Sequence, residues 1–360
     1  MSTAPTRQAA PRRATITDVA REAGTGKTSI SRYLNGEMSV LSPELRARIE
    51  AAIERLDYQP NQMARGLKRG RNRLIGMLLA DLTNPYTVEV LQGVEAACHA
   101  LGLMPLICHA ANEVEMERRY LQLLTTYRVE GVIVNALGVR EETLRPVGGG
   151  GIPAVLVDRS VEGLVADIVG LDNRAAAELG TRHLLDAGFR DIWFVVQPFE
   201  QVSSRRLREA AFREAMAAHE ATGPHAARGH TLVLDLADAQ QAEQSLAALD
   251  RAIDASSEHP GVVCHAARVA VFAANAPVAL RLALHLKARY GAGWQARVAL
   301  LSIDDPDWAE LTGVTTIRQP TYDIGYRAVE FLHERIEGVE TGARDCLLPG
   351  ELIVRASTSG

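Results

Sequence analysis

Apolar positions recur at helical spacing near the start of the chain and later give way to short, wholly apolar runs. Within residues 15–36, TITDVAREAGTGKTSISRYLNG, the residues Ile16, Val19, Ala20 and Ala23 fall on one narrow helical face. Thr15 or Thr17 can cap that helix with a hydroxyl oxygen, and Asp18 in the first turn suits the helix dipole. Gly24 ends it, because glycine takes the left-handed conformation readily. Thr25 and Gly26 make the turn, and Lys27 to Leu34 form a second helix that buries Ile30 and Leu34 through i, i+4 spacing. A third helix is predicted over Leu41 to Leu56, with Ser42 as cap, Pro43 at its first position, and Leu45, Ile49, Ile53 and Leu56 along one face. Three short helices around one small core make a complete headpiece.

The outward face of the second helix carries Lys27, Thr28, Ser29, Ser31 and Arg32. Lysine and arginine donate to guanine edges, and serine or threonine contact bases or phosphates, so this face suits the major groove of DNA. Downstream, Asn61 can cap a helix over 62–68 that displays Met63 and Leu67 with nothing local to pack on. A leucine on a basic segment can act as a wedge in the minor groove. Charge separates in the same way. Residues 1–73 hold 14 Lys and Arg against 7 Asp and Glu, a net of +7, whereas the remaining residues carry a net of −12. A basic end on an acidic body directs the N-terminus alone toward a polyanion.

From Leu74 the pattern becomes one of short apolar strands alternating with amphipathic helices. Strands are predicted at 74–80, 104–109, 132–135 and 154–157, and again at 192–196, 231–234, 262–264 and 299–303. Strand and helix in alternation imply parallel sheets covered on both faces, and the repeated rhythm implies two similar lobes. Ligands in such sheets sit beyond the carboxyl ends of the strands. The polar residues there are Asn84 and Tyr86, Asn135, Asp158 and Arg159, then Ser203, Ser204, Arg205 and Arg208 at a helix start, Asn275, and Asp304 with Trp308. Amides, carboxylates, guanidiniums and aromatics together suit a hydroxyl-rich ligand. Arg159 and Arg208 suit a carboxylate, and Asp158 and Asp304 suit hydroxyls, so a sugar acid would engage both sets.

Composition narrows the classes. Residues 1–14 read as a disordered lead-in without an apolar run, neither a signal peptide nor a membrane span. The cysteines Cys98, Cys108, Cys264 and Cys346 lack metal-ligand spacing and read as reduced residues of a cytoplasmic protein. No cofactor or metal is expected, and no membrane association. A sugar-acid enzyme would need a phosphate-binding glycine loop, a nucleophile elbow or a metal cluster, none of which is present in the sequence. A solute receptor for a transporter would need a signal peptide and no headpiece.

The orders TITDVAREAG, then S-I-S-R-Y-L-N-G, then L-D-Y-Q-P-N-Q-M-A-R-G-L resemble the headpiece and hinge of the lactose-repressor (LacI) family of bacterial transcription regulators. The resemblance extends to about residue 355. It implies a small all-α helix-turn-helix headpiece (15–59), a hinge helix and linker (60–73), and an α/β two-lobed, periplasmic-binding-protein-like domain of two parallel-sheet sandwiches (74–356). The N-lobe is expected over 74–171 and 304–331 and the C-lobe over 172–303 and 332–356, with crossings near 171, 303 and 320. The implied DNA-contacting set is Thr15, Thr17, Lys27, Thr28, Ser29, Ser31, Arg32 and Asn35, with Asn61, Met63, Ala64, Leu67 and Lys68 in the hinge. Asn135 matches the family's G-x-I-x-N, Asp158 the aspartate ending its fourth strand, and Arg208 the arginine of S-x-x-x-R. Asn275 stands in A-N-A where the family has A-N-D, and Asp304 in S-I-D-D where it has G-x-D-D. Gly26 replaces the usual serine cap of the second helix. The stretches RLIGMLLADLTNPYTVEVLQGVEAAC and YRVEGVIVNALG are most similar to 2-ketogluconate utilisation repressors within the family. The implied protein is a homodimeric repressor that binds a near-palindromic operator and is released by a sugar acid, with a neutral sugar as the alternative effector.

Overall fold

The computed structural model describes residues 13–60, 71–136, 144, 151–161, 163–200, 202–219, 226–257 and 268–359. Most of the expected lead-in, the strand expected at 262–264, and the hinge helix with Asn61, Met63, Ala64, Leu67 and Lys68 lie outside these residues. The chain divides into two compact units, Met1–Asn72 and Arg73–Gly360.

The first unit contains α1 (Ile16–Glu22), α2 (Lys27–Leu34) and α3 (Pro43–Arg55), with a 3-10 turn at Met38–Val40. Thr15, rather than Thr17, caps α1: the Asp18 amide donates to Thr15 Oγ1 (3.4 Å), and the Thr15 amide donates back to Asp18 Oδ2 (2.9 Å). This reciprocal pair satisfies two donors that a helix start would otherwise leave free. Gly24 follows the end of α1 at φ +60°, which lets the Thr25 amide reach Ala20 O at 2.9 Å. Gly26 precedes α2 without a side-chain cap, while Ser42 caps α3 by accepting from Leu45 N at 3.2 Å. Val19, Ala20, Ala23, Ile30, Ile49 and Ala52 form the buried core. Ile30 and Ile49 are fully buried, each contributing about 2 kcal/mol of hydrophobic stabilisation.

In the second unit two six-stranded sheets repeat one plan. The strands are β1 (Leu74–Leu79), β2 (Met104–His109), β3 (Gly131–Asn135), β4 (Ala154–Val157), β5 (Asp167–Leu171), β6 (Asp191–Val196), β7 (Arg228–Val233), β8 (Val269–Ala273), β9 (Val298–Ile303), β10 (Thr315–Arg318), β11 (Asp345–Leu348) and β12 (Glu351–Ile353). Their orders are β11-β5-β4-β3-β1-β2 in the N-lobe and β12-β10-β9-β8-β6-β7 in the C-lobe. All pairings are parallel except β10 with β12. The central strands are apolar on both faces because helices cover both sides, and separate apolar clusters pack on the faces of each sheet.

The C-terminal third departs from the expected division between lobes. After β9 the chain stays in the C-lobe, because β10 pairs beside β9 with Thr316 opposite Ser302. It returns to the N-lobe only after Arg318, through α11 (Thr321–Ile336), and β11 then pairs beside β5 with Leu348 opposite Leu171. Residues 304–318 therefore belong to the C-lobe and 332–348 to the N-lobe, and the third crossing falls between Leu348 and Glu351 instead of at 303. Two interactions fasten the returning segment. A Cβ on Gly93 of α4 (Pro85–Leu101) would lie 2.0 Å from Tyr322 O, and one on Gly325 of α11 would lie 2.0 Å from Val90 O, so only glycine permits this helix crossing. Fully buried Asp167 accepts from Arg335 Nη2 (2.8 Å) and Arg344 Nη2 (2.8 Å).

Candidate functional site

On the headpiece, Lys27, Thr28 and Arg32 of α2 are exposed, while Ser29, Ser31 and Asn35 are half-buried at the edges of the same face. Arg32 Nε lies 4.0 Å from Glu37 Oε2, and Asn35 Nδ2 donates to Glu37 Oε1 at 3.4 Å. Thr17 is exposed on α1. Thr15 spends its hydroxyl hydrogen on Asp18 Oδ2 at 2.6 Å, so that residue is committed to the cap.

The second unit encloses a cavity of about 810 Å³ between its lobes. It is lined by Asn84, Tyr86, Asn135, Asp158 and Arg159 from the N-lobe and by Ser204, Arg208, Asn275, Asp304 and Trp308 from the C-lobe. Asn84 and Asn275 begin α4 and α9 (Ala276–Tyr290), where their side chains accept from Tyr86 N (3.3 Å) and Val278 N (3.1 Å). Asn135 ends β3 and donates to Val157 O at 3.3 Å. Ser204 and Arg208 lie in α7 (Ser203–His219), and Trp308 lies in α10 (Asp307–Thr312).

The two aspartates occupy equivalent places in the two sheets. Asp158 follows β4 and Asp304 follows β9, each with a left-handed backbone, φ +67° and +78°. Each donates its amide to the next strand, Asp158 to Val169 O (3.0 Å) and Asp304 to Ile317 O (2.9 Å). A non-glycine residue pays about 1 kcal/mol for that conformation, and such strain concentrates where side chains must be aimed. Here it turns both carboxylates into the cavity.

Arg208, only 4% exposed, is held by Asn173 Oδ1 at Nε and by Ala274 O at Nη1, both at 2.7 Å. Its Nη2 lies 3.9 Å from Asp158 Oδ1, and Arg159 Nε lies 3.8 Å from Asp158 Oδ2, so one carboxylate stands between two guanidiniums. Arg159 also donates to Ala136 O at 2.9 Å. Burial pushes the Asp304 carboxyl up; Arg208, the Ala276 amide (2.9 Å) and the Gln319 amide (2.5 Å) pull it back only in part. Burial lowers Arg159 against the opposing pull of Asp158. Burial raises the Tyr86 phenol well above its ordinary value.

Four buried polar atoms on this cavity have no hydrogen-bond partner among the described residues: Tyr86 Oη, Asp158 Oδ1, Arg159 Nε and Gln319 Oε1. An unmet buried polar group costs about 1–3 kcal/mol. They comprise one donor (Arg159 Nε), two acceptors (Asp158 Oδ1 and Gln319 Oε1) and a phenol that can act as either, a mixture that the hydroxyls of a polyhydroxylated molecule can meet.

Gln197 and Gln319 line the cavity and Asn173 supports it, though none of them is among the expected strand-end residues. Gln197 stands one residue beyond β6, at a strand end where the same rule applied. Gln319 follows β10, a strand too short to show a pattern. Asn173 acts through Arg208, 35 residues away, and carried no local signal.

A family model of bacterial regulatory proteins, lacI family, matches residues 15–61, and one of a periplasmic binding protein-like domain matches residues 181–358. The chain is 41% identical to the HTH-type transcriptional regulator PtxS of Pseudomonas aeruginosa over 348 residues, 96% of each chain. The chain belongs to the lacI family of bacterial regulatory proteins. It is also 32% identical to the HTH-type transcriptional regulator KdgR of Bacillus subtilis, covering 95% of this chain and 97% of that one. The lac repressor dimer bound to operator and the anti-inducer ONPF shares the fold, with a TM-score of 0.78 at 22% identity, covering 97% of this chain and 100% of that one. This lacI-family chain is thus a DNA-binding transcription regulator and not an enzyme. No helix among its described residues is long and apolar enough to cross a membrane, and no cluster of His, Cys, Asp or Glu among them could hold a metal ion.

Proposed function

We propose that this regulator is a repressor that binds a near-palindromic operator as a homodimer and leaves it when a sugar acid, specifically 2-ketogluconate, fills the cavity between its lobes. The observation that carries the effector class is the cavity's charge. Four guanidiniums, Arg159, Arg205, Arg208 and Arg281, and four aspartates, Asp81, Asp158, Asp235 and Asp304, line the cavity, and burial disfavours the ionised form of Asp304. A bound carboxylate pairs with the buried guanidiniums, and the unmet Tyr86 Oη, Asp158 Oδ1 and Gln319 Oε1 receive hydroxyls.

In this reading α2 enters the major groove, with Lys27, Thr28, Ser29, Ser31, Arg32 and Asn35 toward bases and phosphates, and Thr15 and Thr17 near the backbone. The hinge residues Asn61, Met63, Ala64 and Lys68 follow the minor groove, where Leu67 inserts. Pairing of two copies is supported by exposed Met104, Leu106 and Ile107 on β2, an edge strand. The acid must favour one lobe arrangement for release to follow, since only differential affinity shifts an equilibrium.

Titration calorimetry of the full-length protein with 2-ketogluconate, gluconate and D-fructose tests the effector. Binding of the acids with 2-ketogluconate preferred is expected. Binding of D-fructose with neither acid would assign a neutral sugar and reject the acid.

A further inference from the structure

Resting on the acid-effector reading above, we propose that Arg205 selects the acid over its neutral counterpart, by receiving the carboxylate end of the effector. A guanidinium carries five N–H donors. Arg205 commits one from Nη1 to Pro198 O and one from Nη2 to Gln197 Oε1, both at 2.8 Å, and both acceptors are neutral. That leaves three donors, and a positive charge that neither acceptor neutralises.

The neighbouring cations differ in this respect. Arg159 and Arg208 share Asp158 at 3.8 and 3.9 Å, and Arg281 at the rim is paired with Glu243 at 2.5 Å. Among the described residues no carboxylate oxygen comes within 4.0 Å of Arg205; Asp158 and Asp235 act on it only from farther away. Asp235 Oδ1 is engaged instead by the Ala237 amide at 2.9 Å. Arg205 is therefore a cation of the cavity with no carboxylate in direct contact among the described residues.

Burial, followed by repulsion from Arg159 and Arg208, pulls the Arg205 guanidinium down to about 10. It stays protonated at neutral pH, and an arriving carboxylate relieves both penalties. The arginine is also pre-set. Gln197 Oε1 accepts simultaneously from Asn275 Nδ2 at 2.9 Å, so one amide fixes Arg205 relative to the start of α9. A planar fork so held can offer a carboxylate two parallel hydrogen bonds.

2-Keto-D-gluconate and D-fructose have the same carbon skeleton and stereocentres and differ only at C1, a carboxylate in one and a hydroxymethyl group in the other. Calorimetry with these two probes on the full-length protein isolates the carboxylate contact. In Arg205→Gln the affinity for the acid is expected to fall at least about tenfold, while that for D-fructose stays within about threefold. Arg205→Lys keeps the charge without the fork and should retain part of the preference. Gln197→Ala, which frees the guanidinium, should weaken acid binding more than D-fructose binding; it serves as the test if neither arginine variant shows a cooperative melt. An acid preference unchanged in a folded Arg205→Gln overturns the assignment and returns the carboxylate to Arg159 or Arg208. Native protein that binds D-fructose as tightly as the acid instead overturns the acid-effector reading itself.

Discussion

Arg208 is held on all sides in the cavity wall, with Asn173 and Ala274 fixing two of its nitrogens and Asp158 facing a third. Its truncation would remove a charged donor and leave Asn173 Oδ1 and the Asp158 carboxylate without their partner. Hydrogen bonds to charged groups contribute about 1.5–3 kcal/mol, so Arg208→Ala is expected to weaken effector binding by about 10- to 100-fold in calorimetry. Effector affinity unchanged in a folded variant would remove Arg208 from the binding set. Much of the site was legible at this scale because its residues stand at strand ends, where a parallel sheet presents side chains to a ligand. Asn135 ends, and Asp158 and Asp304 follow, strands whose apolar runs are unmistakable. Gln319 and Asn173 were not legible, since one follows a four-residue strand and the other matters only through a partner distant in sequence.

The headpiece helices follow the sequence pattern closely, because caps and apolar faces are local properties: α2 runs from Lys27 to Leu34 as its pattern predicts. Elements set by long-range pairing were missed. β5 begins on Asp167, a charge that masks a strand, yet that carboxylate is buried by Arg335 and Arg344. β10, β11 and β12 are three or four residues long and exist because neighbouring strands pair with them. The strand Val269–Ala273, with all five residues apolar and buried, lies just beyond the expected strand at 262–264. The crossing of α4 and α11 is equally invisible locally. Adding a methyl group at Gly325 would place it against the Val90 carbonyl, which is backbone and cannot rotate away. Gly325→Ala is expected to destabilise the second unit by about 1–3 kcal/mol, read as a lower midpoint in chemical denaturation. A wild-type midpoint would show that the helices separate without cost.

At the scale of the whole molecule, the chain visits each lobe twice, and a buried ionic cluster is one of the two interactions that fasten its C-terminal return. Burial alone would push the Asp167 carboxyl up, but hydrogen bonds from Arg335 and Arg344 outweigh it and hold the group well below the usual carboxylate range. Because the folded value is depressed, this stabilisation is complete above the unfolded value of about 3.9 and is lost as pH falls toward the folded one. Asp167→Asn should therefore lower the unfolding midpoint at neutral pH, with the difference from wild type shrinking below about pH 4. A difference constant from pH 7 to pH 3 would contradict the ionic role. The separation of charge, +7 on residues 1–73 against −12 on the remainder, confines attraction for DNA to the headpiece and hinge and makes it sensitive to salt. The proposed reading by α2 and the proposed control by the Arg205–Arg208 cavity meet in one measurement, the fluorescence anisotropy of the labelled region upstream of the regulator's own gene, titrated first with protein and then with 2-ketogluconate. Sequence-dependent, salt-sensitive binding that is reversed by 2-ketogluconate and not by D-fructose is the expected result. Specific binding that persists at saturating 2-ketogluconate, or the absence of specific binding, would contradict it.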